Sequence, residues 1–319
     1  MRCIVRLAMA LALFALPAFG QSNWPDKPVK LVVGFTAGSA TDVSGRMFAQ
    51  KFSEMWGQPV VVENVPGNSG AIGTDRVAKA APDGYTLLWS GNAAITILPS
   101  LQNLPFDPLK DLAPITTTLV TSSVLFVNND LPVKSLAELI AYAKANPGKL
   151  SYGSPGVGTP QHVAGELLGS LAGIKMEHIP YRGANLTDVM SGIVPVGIQN
   201  AGAAIPFVND GRVRGIALTA QKRAAGAPNL PTVAEQGFPG FEAISWFALM
   251  APAGTPKPIL DKVRTDALKV LADPEIQKKL LAIGLEVVGS TAEETQDAIA
   301  NDIPKWAKVI KDANIKLGN

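Results

Sequence analysis

The chain has 319 residues, 28 Lys and Arg against 26 Asp and Glu, two histidines and one cysteine. The length allows two domains. The near-even charge argues against nucleic acid or an anionic membrane as partner, and so few cysteines and histidines argue against a transition-metal centre.

Residues 1–20 read as a cleavable secretory leader. Arg2 and Arg6 flank the start of the apolar run, LAMALALFALPAFG follows, and the small residues Ala18 and Gly20 precede a cleavage point before Gln21. The run is about 14 residues, short of the roughly 20 that span a bilayer. Loss of Arg2 and Arg6 leaves 26 basic residues against 26 acidic ones. Cys3 leaves too; it precedes the apolar run and is not placed as a lipoprotein cysteine. The mature chain then has no disulfide, thiolate nucleophile or Cys ligand. Export without another long apolar run points to a periplasmic protein.

Strand-like and helix-like patterns then alternate. VKLVVGF reads as a buried strand, and TDVSGRMFAQKFSEMW as a helix with Val43, Met47, Phe48 and Phe52 on one face. PVVVENV is a second strand; a short helix, a Pro-Asp-Gly turn and a third strand follow. SVLFVNN is a strand. The helix SLAELIAYAKANPG has a capping box at Ser135 and Glu138 and stops at Pro147-Gly148. KLSYGS and TPQHVAGELLGSLAG repeat the strand–turn–helix unit. From Pro256 the pattern is mainly helical, interrupted by the short strand LEVVG, with a kink or break expected at Pro304. The units at 29–55 and 149–171 are comparable, as two similar α/β lobes would require.

Two glycine turns carry the functional signal. In SYGSPGVGTPQHVAGEL, Gly153, Gly156 and Gly158 allow close backbone approach, Thr159 is an N-cap and Pro160 suits the first helical position. The turn delivers a helix N-terminus, which favours an anion; Ser154, Thr159 and His162 add polar groups. In GFTAGSATD, Gly34 and Gly38 free the backbone, Ser39 or Thr41 can cap, and Asp42 lies in the first helical turn. A lone turn of this kind is more often an ordinary βα connection. Two of them in two lobes suit a carboxylate held from both sides, because open sheets bind ligands at strand carboxyl ends.

Other chemistries fit worse. There is no Walker loop and no dinucleotide fingerprint, and no G-x-S-x-G elbow. A hydrolase pairing His162 with Ser39 or Ser154 stands as a minor alternative. His178, in MEHIPY, reads as a strand residue with a satisfied ring. Trp246 and Phe247 read as core. Arg182 is a candidate counter-ion or a solvated surface residue.

The stretches WPDKPVKLVVGFTAGSATD, GQPVVVENVPGNSGAIGTDRVAKAAPDGYTLL, ANPGKLSYGSPGVGTPQHVAGELL, HIPYRGAN and LPTVAEQGFPGFEAISWFALMAPAGTP lie in order along residues 24–310. They resemble the solute-binding proteins of tripartite tricarboxylate transporters, the Bug-type receptors. The resemblance implies an α/β, two-lobed type II periplasmic-binding-protein fold with a ligand cleft between lobes. The expected lobes are 21–122 with 247–319, and 123–246. It implies no enzyme activity, cofactor or metal, and a monomer that hands a carboxylate to transporter membrane subunits; a sensor's extracellular domain is the alternative partner. Carried over by position, the gripping residues are Phe35, Ala37, Gly38, Ser39 and Asp42 in the first turn and Ser154, Gly158, Thr159 and His162 in the second; Thr36 and Gly156 join them in the expected ligand set. Ser90, Asn92, Gln199 and Asn200 complete it. Two departures stand out. Gly34 and Ser39 replace the proline and second glycine of the family's usual Pro-Phe-x-Ala-Gly-Gly, and Pro195 and Gln199 stand where the family commonly has Asp. A neutral Gln199–Asn200 wall suits an ammonium group poorly, so the expected ligand is a mono- or dicarboxylate, aromatic ones included, rather than an amino acid.

Overall fold

The computed structural model describes residues 24–316 apart from Arg182 and Ala184; the leader and the Arg182 side chain lie outside the described residues. The chain begins with β1 (Val29–Val33), α1 (Ala40–Trp56), β2 (Val60–Asn64), α2 (Ala71–Ala78) and β3 (Thr86–Gly91). β4 (Leu112–Thr121) then passes through Ser122 into β5 (Ser123–Val127). Next come α3 (Leu136–Ala145), β6 (Ser151–Ser154), α4 (Pro160–Ala172), β7 (Glu177–Pro180) and α5 (Leu186–Met190). They are followed by β8 (Val196–Asn200), α6 (Ala201–Asn209) and β9 (Arg214–Leu218). β10 (Ser245–Pro252), α7 (Lys257–Ala272), α8 (Pro274–Ala282), β11 (Glu286–Val287) and α9 (Ala292–Asp312) complete the chain.

These strands form two sheets, ordered β11-β4-β10-β3-β1-β2 and β7-β6-β8-β5-β9. In the first, β1 lies between β2 and β3, all parallel, and all but Lys30 of its residues are buried. A strand buried on both faces reads as a continuous apolar run, which VKLVV nearly is. In the second, β6 pairs in parallel with β7 and β8. The carboxyl ends of β1 and β6 therefore each open into a glycine turn and a helix. The chain crosses between the sheets at Ser122 and again ahead of Ser245.

α1 buries Phe48, Phe52 and Trp56 against Trp89 of β3. Phe48 and Phe52 are on the expected face, Met47 is only partly covered, and Trp56 extends the stripe. The Trp56 ring stacks on Phe52 at 4.5 Å, and its Nε1–H donates to Asp266 Oδ2 of α7 at 2.8 Å. Trp246 and Phe247 are core, as the sequence indicates. α3 departs from the expected box: Ser135 Oγ accepts the Glu138 N–H, but the Glu138 carboxylate takes the Lys134 N–H instead of that of Ser135.

α9 shows no break at Pro304. It runs on because both halves are anchored: Ile299 packs with β3 and β10 residues, while Trp306, Val309 and Ile310 join the core of the second sheet. One helix thus packs into both lobes. The lobes also meet where α6 begins. A Cβ on Gly202 would collide with the Ile283 carbonyl oxygen at the end of α8. Gly202→Val should therefore destabilise the protein by roughly 1–3 kcal/mol. Thermal unfolding of the purified variant measures this; a wild-type melting temperature would contradict the packing.

Candidate functional site

The two glycine turns are built alike. In the first, Gly38 is left-handed at φ 82° and Ser39 is the N-cap of α1, its Oγ accepting the Asp42 N–H at 3.2 Å. Asp42, at the third helical position, reaches back, and its Oδ2 accepts the Gly38 N–H at 2.9 Å. In the second, Gly158 has φ 74°, and Thr159 Oγ1 accepts the His162 N–H at 3.3 Å. His162, again third in the helix, accepts the Gly158 N–H on Nδ1 at 3.2 Å. Cap and third residue thus satisfy each other's neighbourhood reciprocally, a variant of the capping box. A β-branched or bulky residue is strained at a positive φ, so both turns use glycine.

This closure leaves other N–H groups unused. Ala40 and Thr41, the first two residues of α1, have N–H groups with no partner among the described residues. In α4 the first position is Pro160, which has no N–H, and the Gln161 N–H has no partner among the described residues. Thr36, Ala37 and Gly38 are exposed, and Ser39 and Ala40 are half-buried. Backbone donors at two positive helix ends are what an anion requires.

Several sequence candidates act behind the turns rather than at their surface. Burial raises the Asp42 pKa, but hydrogen bonds from Arg46, Gly38 and Asn64 outweigh it and hold the carboxylate below its usual value. Arg46 and Asn64 pair with each other as well as with Asp42, and Asn64 Nδ2 also donates to the Phe35 carbonyl. Asp42 thus shapes the turn, and its charge is already matched. His162 is buried, and besides bracing Gly158 it lines a cavity of about 550 Å3 shared with Val157 of the same turn, Glu166, Lys175, His178 and the segment after α9. Ser154 is fully buried; its Oγ accepts the Gly156 N–H at 3.2 Å and lies 2.7 Å from His178 Nε2. The serine–histidine pair that forms is therefore Ser154 with His178, and it organises a turn. Thr159 Oγ1 also donates to the Gly156 carbonyl at 2.8 Å.

The remaining candidates gather at the crossovers. Asn92 Nδ2 donates to the Ile244 carbonyl at 3.0 Å. Ser90 is buried near the end of β3, its Oγ donating to the Gly91 carbonyl at 3.4 Å. Gln199 is buried beside the Gly183 carbonyl, and its Oε1 accepts the Asn200 N–H. The Asn200 side chain accepts from Gln161 Nε2, which also donates to Ser123 Oγ at 3.0 Å and lies 3.5 Å from Ser245 Oγ. Gln161 was missed in the sequence. It ties the second turn to both chain crossovers, and its only signal is its place between cap and third helical residue. Among the described residues no group of three or more His, Asp or Glu is placed to hold a metal, and no helix is long and apolar enough to cross a membrane.

Residues 45–315 match the profile of the tripartite tricarboxylate transporter family receptor, TctC. The chain belongs to this receptor family. It is 34% identical to protein BugT of Bordetella pertussis over 98% of this chain and 97% of that one. It is 36% identical to a protein encoded in the gbd 5′ region of Cupriavidus necator, over 99% and 95%. Among solved structures, R. palustris Rpa4515 with adipate is similar at 36% identity and a TM-score of 0.82, over 92% of this chain and 99% of that one. The periplasmic binding protein BugD gives 34% and 0.79 over 92% and 99%. MatC of Rhodopseudomonas palustris with bound malate gives 27% and 0.79 over 90% and 99%. The two-lobed α/β periplasmic-binding-protein fold read from the sequence is the fold of this TctC receptor.

Burial of the two histidines makes this receptor acid-sensitive. Burial, then the neighbouring His178, pushes His162 from 6.5 down to about 3, and burial pushes His178 down to about 4. The unfolded chain binds protons more readily, so stability falls as pH drops below 6.5 and goes on falling towards the folded values. Glu166, which burial raises, opposes this at the acid end. Lowering the pH from 7 to 5 should cost roughly 3–4 kcal/mol. Urea unfolding at the two pH values measures it; equal midpoints would contradict neutral buried histidines.

Proposed function

We propose that this receptor captures an organic mono- or dicarboxylate between the two reciprocally capped turns and delivers it to the membrane subunits of a tripartite tricarboxylate transporter. The observation that carries this reading is the set of unused N–H groups at Ala40, Thr41 and Gln161, on turns at the carboxyl ends of β1 and β6. The similarity to receptors whose structures contain adipate and malate supports the substrate class. On this reading residues 21–122 with 247–319 form one lobe and 123–246 the other, with α9 reaching across. Residues 1–20 direct export, the protein acts in the periplasm as a monomer, and it catalyses no reaction.

The energetics favour a carboxylate. A hydrogen bond to a charged group contributes about 1.5–3 kcal/mol, so three such donors are on the scale of the roughly 8 kcal/mol of a micromolar complex. Asp42 does not defeat this, because Arg46 balances it. On this reading the amides Gln161, Gln199 and Asn200 stand near the ligand without adding charge, which suits a ligand with no ammonium group.

A thermal-shift screen of mono-, di- and aromatic carboxylates, with adipate and malate included and amino acids as controls, tests the reading. Ligand at about 100 times Kd should stabilise the protein by roughly 2.7 kcal/mol, a shift of several degrees. Gly158→Val, which forces a branched side chain to positive φ against Leu98 and Leu101, and Ser39→Leu, which removes a cap, should each weaken binding about tenfold or more. A shift with amino acids alone, or unchanged affinity in both variants, would refute the assignment.

A further inference from the structure

We propose that His178 is a positioning residue of the second turn: its ring orients the Ser154 hydroxyl and backs the His162 imidazole, and so sets the shape in which residues 154–158 present the site. The inference rests on the reading that this turn holds a carboxylate.

His178 comes from β7, the edge strand beside β6, and is outside the turn it supports. Its Nε2 lies 2.7 Å from Ser154 Oγ. That oxygen accepts the Gly156 N–H, and its own proton has two acceptors in reach, the Gly156 carbonyl at 3.2 Å and His178 Nε2 at 2.7 Å; we assign it to the shorter contact, which places the His178 proton on Nδ1. On the other side His162 Nδ1 accepts the Gly158 N–H, which leaves the His162 proton on Nε2. The two rings stack at 3.7 Å with planes 11° apart, and Tyr152 packs against His178 at 5.0 Å. Each ring therefore holds one end of the Gly156–Gly158 segment, and each holds the other ring in plane.

The arrangement works only with both rings neutral. A proton on His162 Nδ1 would set a donor against the Gly158 N–H, and a charge on either ring would sit in the stack. The groups around the pair are Tyr152 and Ser154 of β6, Glu166 of α4, Lys175 ahead of β7, Glu177 of β7, and Lys316 after α9. Of these, Glu166 accepts the Tyr152 O–H at 2.7 Å. Burial keeps both histidines neutral at neutral pH. Removing the His178 ring opens His162 to water, so His162 should then gain a proton at a higher pH and release Gly158.

Nitrogen-15 and carbon-13 NMR of the histidine rings in the mature protein, with adipate and malate titrations of wild type and His178→Ala, tests the proposal. The wild type should show His162 protonated on Nε2 and His178 on Nδ1, with a slowly exchanging Gly158 amide. His178→Ala should weaken adipate or malate binding about tenfold or more, and the loss should deepen as pH falls from about 7 to 5. His178→Gln, which can still accept from Ser154, should recover most of the affinity, and Ser154→Ala should move it in the same direction as His178→Ala. The opposite tautomers in wild type would overturn the proposal. So would unchanged, pH-independent affinity in His178→Ala or, should that variant not fold, in Ser154→Ala. If wild type binds neither acid, the ligand reading fails, while the tautomers and the Gly158 exchange rate still decide the role of His178.

Discussion

Everything about this site depends on one backbone constraint: a helix start that consumes its third N–H internally and leaves those ahead of it without a partner among the described residues, two in α1 and, after Pro160, one in α4. The third N–H of α1 goes to Ser39 and that of α4 to Thr159. The third side chain then draws back the glycine N–H that would otherwise point outward. Donors are thereby sorted into those that hold the turn and those left for something else. The same backward reach closes α3 through Glu138 and Lys134, where no left-handed glycine precedes the cap. The reciprocal cap alone is ordinary; on the proposed reading, its placement twice, at the carboxyl ends of β1 and β6, makes the site.

The two turns solve the charge problem differently. The first uses a carboxylate, Asp42, and balances it with Arg46, so the turn as a whole is neutral. The second uses an imidazole kept neutral by burial and by its stack with His178. On the proposed reading, a carboxylate between them would meet oriented N–H dipoles without a free opposing charge on either side. Neutral donors of this kind attract an anion more weakly than lysine would, which suits a protein that must also release its ligand. Gln161 couples this chemistry to the architecture: its side chain joins Ser123, Asn200 and Ser245 at the crossovers, while its own N–H belongs to the free set. Hinge closure in two-lobed proteins turns on a few such terminal residues.

Much of this was legible in the sequence. The strand–glycine–helix grammar placed both turns, Thr159 was a recognisable cap and Ser39 one of two candidates with Thr41, and long ordered motifs pointed to the receptor family. The roles of Asp42, His162 and Ser154 were not legible, because a polar residue in a glycine turn looks the same whether it faces the ligand or the backbone. Only the Gly38 and Gly158 hydrogen bonds distinguish the two. His178 looked like an ordinary strand residue because its partner, Ser154, is 24 positions away and is brought close by parallel pairing of β6 and β7. Of the kink or break expected at Pro304, the break is absent for a similar reason: α9 runs as one helix anchored in two cores.

The most direct test of the central claim is amide chemical-shift mapping of the nitrogen-15-labelled protein during titration with the carboxylate that stabilises it most. The account predicts the largest downfield shifts at Ala40, Thr41 and Gln161, with Gly38 and Gly158 moving little because their N–H groups are already engaged. Shifts concentrated instead on Gly38 and Gly158, or on the cavity around His162 and Lys175, would contradict it.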